Sequence, residues 1–352
     1  MMNLYKFVFN SLSISSDRRQ QAYDIEHITS VMYSNGRVKR MNKAYKFRLY
    51  PNEAQRNKIQ NTIHCARFIY NKMLSDKIEY YQRTGKKLKN TPAQYKKEFE
   101  WLKEVDSLAL ANAQINLQLA YEHFFRNQGA GFPRFKTKKH SKKRYTTNCV
   151  NGNIVIQDDH IKLPKIGFVR MKQHRMIPEG YKLKSVTITL SASGKYYASV
   201  LFEYKEEIEE VVPESVIGLT YSDKELYIDN SGEHCLYPSY CRATAEKLRR
   251  EQRRLAKMKQ GSKNRAKQRV RAAKLHEKLA NQRRDFLHKQ SRQIVNAYDC
   301  VCVKGPSGAA GYDADWGMFI IFLKYKLTDA GKRMIWGDSS LSSEMLYVRQ
   351  AV

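Results

Sequence analysis

Between Arg242 and Lys289 the chain carries eighteen Lys and Arg against four Asp and Glu, holds no proline, and is broken once, at Gln260-Gly261-Ser262. A proline-free run of good helix formers interrupted by one glycine turn predicts two helices folded back on each other. Their apolar seam is thin, resting on Leu248, Leu255, Leu275 and Leu279. Helices so poor in apolar surface and so rich in cations suit a hairpin lying on a polyanion, not the inside of a domain. The backbone-contact candidates on this pair are Arg249, Arg250, Arg253, Arg254, Lys257, Lys259, Lys263, Arg265, Arg283 and Arg284. His276 and His288 lie twelve residues apart on the same cationic run and are expected to be ordinary helix residues, so no metal site is assigned to them.

The bias extends to the whole chain, where 64 Lys and Arg face 34 Asp and Glu over 352 residues, a net charge of +30. Such an excess repels itself unless a polyanion neutralises it, which makes nucleic acid the expected partner. With 42% hydrophobic and 11% aromatic residues the chain can nevertheless bury real cores in two or three domains. No stretch approaches the roughly 18 to 20 apolar residues of a membrane span, so no membrane partner is expected. Six scattered cysteines (Cys65, Cys149, Cys235, Cys241, Cys300, Cys302) form no C-x-x-C pair. They fit reduced thiols in a cytoplasmic protein better than zinc ligands or disulfides.

Residues 1–40 are expected to be an unstructured N-terminal extension, with Met41 as the natural start and a functional arm as the rival reading; Val8-Phe9 is too short for a signal-peptide core. From Lys43 to Tyr50 basic and apolar residues alternate, the pattern of a strand with one cationic face. Pro51-Asn52-Glu53 then opens a helical stretch with Ile59, Ile63, Phe68, Ile69, Met73 and Leu74 at helix spacing, leaving Arg67 and Asn71 as contact candidates. A basic turn supplies Lys86, Lys87 and Lys89. The helix expected from Ser107 to Phe125 follows Asp106, with Leu108, Ile115, Leu119 and Phe124 as its apolar stripe. Gly129 to Lys139 combines a glycine turn, a proline-stiffened aromatic pair and a ladder of cations. That combination suits clamping a phosphate backbone, with Arg134, Phe135, Lys136, Lys138 and Lys139 in contact. Short strands fill 145–204, with Ser191-Ala192-Ser193-Gly194 as a hairpin loop, and the acidic run Glu206 to Glu210 is expected to be a linker.

Val216-Ile217-Gly218-Leu219-Thr220-Tyr221 is an apolar run of strand length and predicts a buried strand with Thr220 as its last inward side chain. Glu225 to Gly232 completes a hairpin with it. A second buried strand is expected from Tyr298 to Lys304, then a helix from Trp316 to Leu327 and a strand at Arg333 to Trp336. These elements, with Cys65-Ala66-Arg67-Phe68-Ile69-Tyr70-Asn71, the Gly129 to Lys139 stretch and Leu275 to Lys289, resemble the transposon-encoded TnpB family, compact relatives of the type V CRISPR effectors. The resemblance runs from Met41 to about Ser343 in family order.

What the resemblance implies is an α+β multidomain fold: a small β-barrel wedge domain (41–50 and 128–210) with an inserted helical recognition lobe (51–127). A degenerate RNase H-like (RuvC-type) α/β domain (211–340), carrying the long basic helical hairpin, and a short tail (341–352) follow. It further implies a guide RNA and a double-stranded DNA target as partners. By position, Ser107, Leu108, Ala111, Asn112, Thr147, Asn148 and Asn151 become the motif-reading candidates.

In that family the two strand ends carry an aspartate and a glutamate that bind magnesium, where this chain has Thr220 and Lys304, and neither the zinc ribbon nor the third catalytic aspartate of the family is found before Val352. Magnesium demands hard anionic oxygen, which a hydroxyl and an ammonium do not offer. The expectation is therefore a protein that is not an enzyme, with no catalytic residue, no metal and no cofactor for catalysis, and with guide RNA as its bound partner. It would bind a matched target next to a short motif in the bacterial cytoplasm, nucleoid-associated when bound, and repress transcription by occupancy. Two rival readings stay open. One is a TnpB-type endonuclease whose ligands are displaced to carboxylates such as Asp223, Asp229, Asp299, Asp313 or Asp315. The other is a non-specific RNA-binding transposon relic.

Overall fold

The computed structural model describes residues 38–127, 129–207, 211–305 and 314–337. Most of the expected N-terminal extension, the expected tail and Asp313 lie outside the described residues. The chain divides into two compact units, one of Met41–Lys205 and one that takes in Glu206–Val352.

In the first unit, strand β1 (Val38–Leu49) begins three residues ahead of the expected boundary at Met41. Alternation along it buries Met41, Phe47 and Leu49 and turns Lys46 to solvent. Pro51 ends the strand, and Asn52 caps helix α1 (Glu53–Thr84) in a reciprocal box with Gln55, at 2.9 and 3.1 Å. Gly85 closes that helix in the left-handed region at φ +65°. Helix α2 (Pro92–Glu98) and a 3-10 turn (Glu100–Lys103) lead to α3 (Ser107–Arg126), where Asp106 accepts the Leu108 amide at 2.9 Å. The face that α3 buries is Ala109, Leu110, Ala113 and Leu117, rotated from the expected stripe; Ile115 is 47% exposed. Small alanines serve as the core face here because α3 packs closely on α1.

Seven strands form the unit's sheet: β1, β2 (Arg144–Asn148), β3 (Val155–Gln157), β4 (His160–Leu163), β5 (Gly167–Lys172), β6 (Lys182–Leu190) and β7 (Tyr196–Glu207). Their order is β2-β6-β7-β1-β5-β4-β3, so β2 and β3 are edges and the sheet is a half-barrel, not the closed barrel expected. The β6–β7 hairpin turns through Gly194 at φ +85°, a conformation that suits glycine.

The second unit is built on β8 (Val216–Tyr221), β9 (Tyr227–Asp229), β10 (His234–Cys235), β11 (Cys300–Lys304) and β12 (Arg333–Gly337), in the order β10-β9-β8-β11-β12. The strands β8, β11 and β12 run parallel, while β9 and β10 are antiparallel. Helices α4 (Ser239–Ala256) and α5 (Lys263–Ala297) make the basic hairpin, and α6 (Ala314–Asp329) follows. The hairpin seam consists of Cys241, Leu248 and Leu279 with Ala245 and Leu275 against them; Leu255 stays outside it. From Phe286 onward α5 changes character: Phe286, Leu287, Ile294 and Val295 join Trp316, Phe319 and Leu323 over the sheet residues Ile217, Leu219, Val301 and Val303. Among the described residues no helix is long and apolar enough to cross a membrane.

Candidate nucleic-acid interface

Strand alternation decides what the half-barrel presents. Along β2, Tyr145 and Thr147 are buried while Arg144, Thr146 and Asn148 stay accessible. Thr147 is 0% exposed and its Oγ1 has no hydrogen-bond partner among the described residues, so it is removed from the motif-reading set; its neighbour Thr146 is the hydroxyl at the surface. Asn151 sits in the following turn at φ 50°, and Asn148 ends the accessible row.

The accessible residues line up across strands. Arg144 pairs in register with Thr189, which pairs with Tyr197. One row along, Thr146 meets Thr187, their hydroxyls 2.8 Å apart, and Thr187 meets Ser199. On β1, Lys46 Nζ lies 4.5 Å and the Arg48 guanidinium 5.2 Å from the Tyr197 ring centroid. A tyrosine approached by two cations beside a band of hydroxyls is a surface for phosphates, sugars and bases together. Sequence reasoning did not single out Lys46, Arg48, Thr146 or Tyr197. The cationic face of the strand at Lys43–Tyr50 was the available signal, and its pairing with Tyr197, about 150 residues away, was not.

The strap from Gly129 to Lys139 is divided between structure and surface. Phe132 turns inward, edge-on to Tyr121 at 5.6 Å and Phe124 at 5.4 Å. Phe135 is 52% exposed, and Arg134, Lys138 and Lys139 are exposed as well. Lys136 departs from expectation: its Nζ lies 3.7 Å from the Tyr70 ring centroid, and burial, helped by the charge of Arg144, pulls its pKa down to about 8. A half-buried lysine held on a ring is a packing group, not a free backbone contact. Asn71 is likewise structural, its amide bonded to the Lys136 main chain in both directions. Arg67 is half-buried, while Lys86, Lys87 and Lys89 are exposed.

On α3, Ser107 is exposed and Leu108, Ala111 and Asn112 are half-buried on a neighbouring face. Ser107 Oγ accepts from Lys96 at 2.7 Å, and the Asn112 amide donates to the Leu108 carbonyl at 2.9 Å.

In the second unit Arg249, Arg250, Arg253, Arg254, Lys257, Lys259 and Lys263 are all exposed. Arg265 and Arg284 are half-buried, and Arg283 is bound to Asp315 at 3.2 Å, so these three are less available than their spacing suggested. An open cleft of about 460 Å³ lies beside that ion pair, lined by Lys224, Tyr237, Cys241, Arg242 and Arg249. His288 stacks on Phe322 at 3.8 Å, and His276 meets Gln252 at 2.9 Å.

Thr220 and Lys304, far apart in the chain, are register partners at the ends of β8 and β11. Thr220 is exposed instead of inward and Lys304 is half-buried. Two carboxylates of the same unit, Asp229 beside Thr220's end of the sheet and Asp299 at the opposite end of β11, have other work. Asp229 caps its turn through Ser231 and the Glu233 amide, and those hydrogen bonds hold its pKa low. Asp299 is bonded by Ser215 at 2.9 Å and Lys332 at 3.1 Å, which likewise lowers its pKa. Among the described residues no group of three or more His, Cys, Asp and Glu could hold a metal ion.

Two families match the sequence: a helix-turn-helix domain over residues 41–86 and a probable transposase over residues 199–305. A Streptomyces pristinaespiralis protein bearing the name RNA-guided DNA endonuclease is 26% identical over 331 residues, covering 88% of this chain and 80% of that protein. InsQ of Escherichia coli K12, which carries the same name, is 28% identical over 270 residues, covering 74% of this chain and 65% of its own length. In fold the chain is similar to the Cas12f1 chain of a Cas12f1-sgRNA-target DNA complex, with a TM-score of 0.53 at 11% identity over 84% of this chain and 88% of that one. The expectation that this chain is not an enzyme is overturned by these relatives, which point to an endonuclease. That expectation rested on Thr220, Lys304 and the missing third aspartate, whereas the similarity covers most of the sequence. The chain is a TnpB-like protein, and its fold resembles that of Cas12f1.

Proposed function

We propose that this chain is an RNA-guided DNA-binding protein. A guide RNA lies along its cationic faces and pairs with one strand of a target, while the protein reads a short motif in the adjoining duplex. The observation that carries this reading is the outer sheet face, where Arg144, Thr189 and Tyr197 stand in one row and Lys46 and Arg48 approach the same ring. A nucleic acid is the ligand that meets a cation, a hydroxyl and an aromatic ring together. The relatives' names support both partners, RNA as guide and DNA as target.

In this reading the half-barrel is the wedge, helices α1 to α3 are the recognition lobe, and the second unit is the RNase H-like domain. Ser107, Leu108, Ala111, Asn112 and Asn148 face the motif duplex, and Asn151 lies at its margin. The exposed arginines of α4 hold phosphates without reading sequence. A complex seated on a promoter blocks transcription by occupancy.

Cutting of the matched duplex is the activity that the relatives' name brings to this chain. Magnesium is the ion such chemistry uses, and the hydroxyl of Thr220 with the ammonium of Lys304 does not fit it. No step is therefore assigned to those two residues.

The test is to purify the chain from cells and sequence the RNA that accompanies it. One defined species with a constant segment and a single guide is expected, followed by binding to duplex DNA that matches the guide. A heterogeneous RNA population, or equal affinity for matched and unmatched duplex, sinks the reading. Incubating the complex with matched plasmid and magnesium separates holding the target from cutting it.

A further inference from the structure

We propose that the C-terminal end of α3 is a stacking platform for unpaired bases of the bound RNA, a reading that rests on the RNA-guided function above. Phe125 is 70% exposed, the most exposed aromatic side chain among the described residues. Its position is set from beneath. Phe124 meets it edge-on at 5.2 Å, and Tyr121 lies nearly parallel to it at 6.4 Å and 18°. Both of those rings are in turn edge-on to Phe132 of the strap. From a second element, the basic turn after Gly85, Lys87 places its Nζ 5.8 Å from the Phe125 ring centroid. Lys86, Lys89 and Arg126 are exposed next to these residues in sequence.

A rigid, outward aromatic cluster with cations around it calls for a partner that offers flat apolar faces and negative charge at once. Unpaired nucleotides meet both demands, whereas an apolar protein partner would leave the Lys87 charge without an anion. RNA fits better than the DNA target because single-stranded RNA splays its bases for stacking, while a duplex keeps them inside. From Ser107 to Phe125 the helix rises about 27 Å at ~1.5 Å per residue, so the platform is separate from the motif-reading face at the other end.

The experiment uses the full-length chain with its copurified RNA, comparing wild type with Phe125→Ala, Phe125→Leu and Phe125→Trp. Stacking of one base predicts that Ala and Leu weaken RNA binding about 5- to 100-fold while Trp restores it. Ultraviolet crosslinking of the wild type should join the peptide containing Phe125 to an unpaired RNA nucleotide. Unchanged RNA affinity in Phe125→Ala overturns the proposal, as does a crosslink to DNA alone. So does a change from dimer to monomer with RNA affinity retained, which would make a second copy of the chain the occupant. If the wild type retains no defined RNA, the functional reading fails together with this one.

Discussion

The side chain of Asn71 is bonded to the main chain of Lys136 in both directions, its Nδ2 donating to the carbonyl at 2.9 Å and its Oδ1 accepting from the amide at 2.8 Å. With the Lys136 ammonium over Tyr70, this amide docks the cationic strap on helix α1 at Lys136, between Phe135 and the exposed Lys138 and Lys139.

Replacing Asn71 with Ala leaves two partly buried main-chain groups without partners. The expected loss is about 1–3 kcal/mol of stability, read as a lower midpoint in urea unfolding. RNA affinity should fall further in Asn71→Ala than in Arg67→Ala, since the substitution releases a whole strap and not one cation. Equal stability of Asn71→Ala and wild type would remove the latch from this account.

Strand parity separates two adjacent threonines. Thr147→Val replaces a buried, unpartnered hydroxyl with a methyl of like size and should hold or raise the melting temperature, with nucleic-acid binding unchanged. Thr146→Val removes a hydroxyl bonded across the outer face to Thr187 and should weaken RNA binding with little change in melting. The reverse pattern would mean that the other face of the sheet meets the nucleic acid.

The exposed arginines of α4 are expected to act through charge alone. Changing Arg249, Arg250, Arg253 and Arg254 together to Gln should lower the slope of log affinity against log salt by about 3, at ~0.7 to ~0.9 per phosphate contact. The decline should be the same for matched and unmatched sequences. An unaltered slope places the nucleic acid elsewhere on the chain.

Lys326 is 3% exposed, with Nζ donating to the His288 carbonyl at 2.7 Å and to Ser291 Oγ at 2.6 Å. Burial, with a smaller contribution from Arg292, draws its pKa down to about 8 against an ordinary value of 10.5. Between those two values the unfolded chain binds more protons than the folded one, so this group makes stability rise as pH increases from about 8 to about 10.5. Lys326→Met should remove that contribution. The urea midpoint of wild type should therefore rise relative to that of the variant between pH 7.5 and 9.5, and a difference that does not change with pH would contradict the buried-amine assignment.

Much of the fold could be read along the chain because its signals are local. The basic hairpin announced itself through a long proline-free run with one glycine break, and the break lies between α4 and α5. Pro51-Asn52-Glu53 marked a helix start, and alternation marked β1. The misses came from contacts between distant segments. No periodicity indicated that Lys136 would rest on Tyr70, that Asn71 would bind the strap, or that α3 would choose its alanine face. Register was the other gap, since without strand β2 in hand nothing along the chain tells the accessible Thr146 from the buried Thr147. The enzyme question went astray for a different reason: residue chemistry at positions 220 and 304, with a missing third aspartate, was taken to speak for a protein whose wider sequence tracks named endonucleases.

The seam joining α4 to α5 rests on three buried residues and two half-buried ones, beneath a surface crowded with like charges. Gln268 on the Glu251 carbonyl at 3.1 Å and Gln252 with His276 at 2.9 Å add to it, and like-charge repulsion works against it, so the hairpin should tighten when a polyanion docks and loosen at low salt without one. On the proposed function, cellular supply of the RNA would then govern how long the protein survives proteolysis.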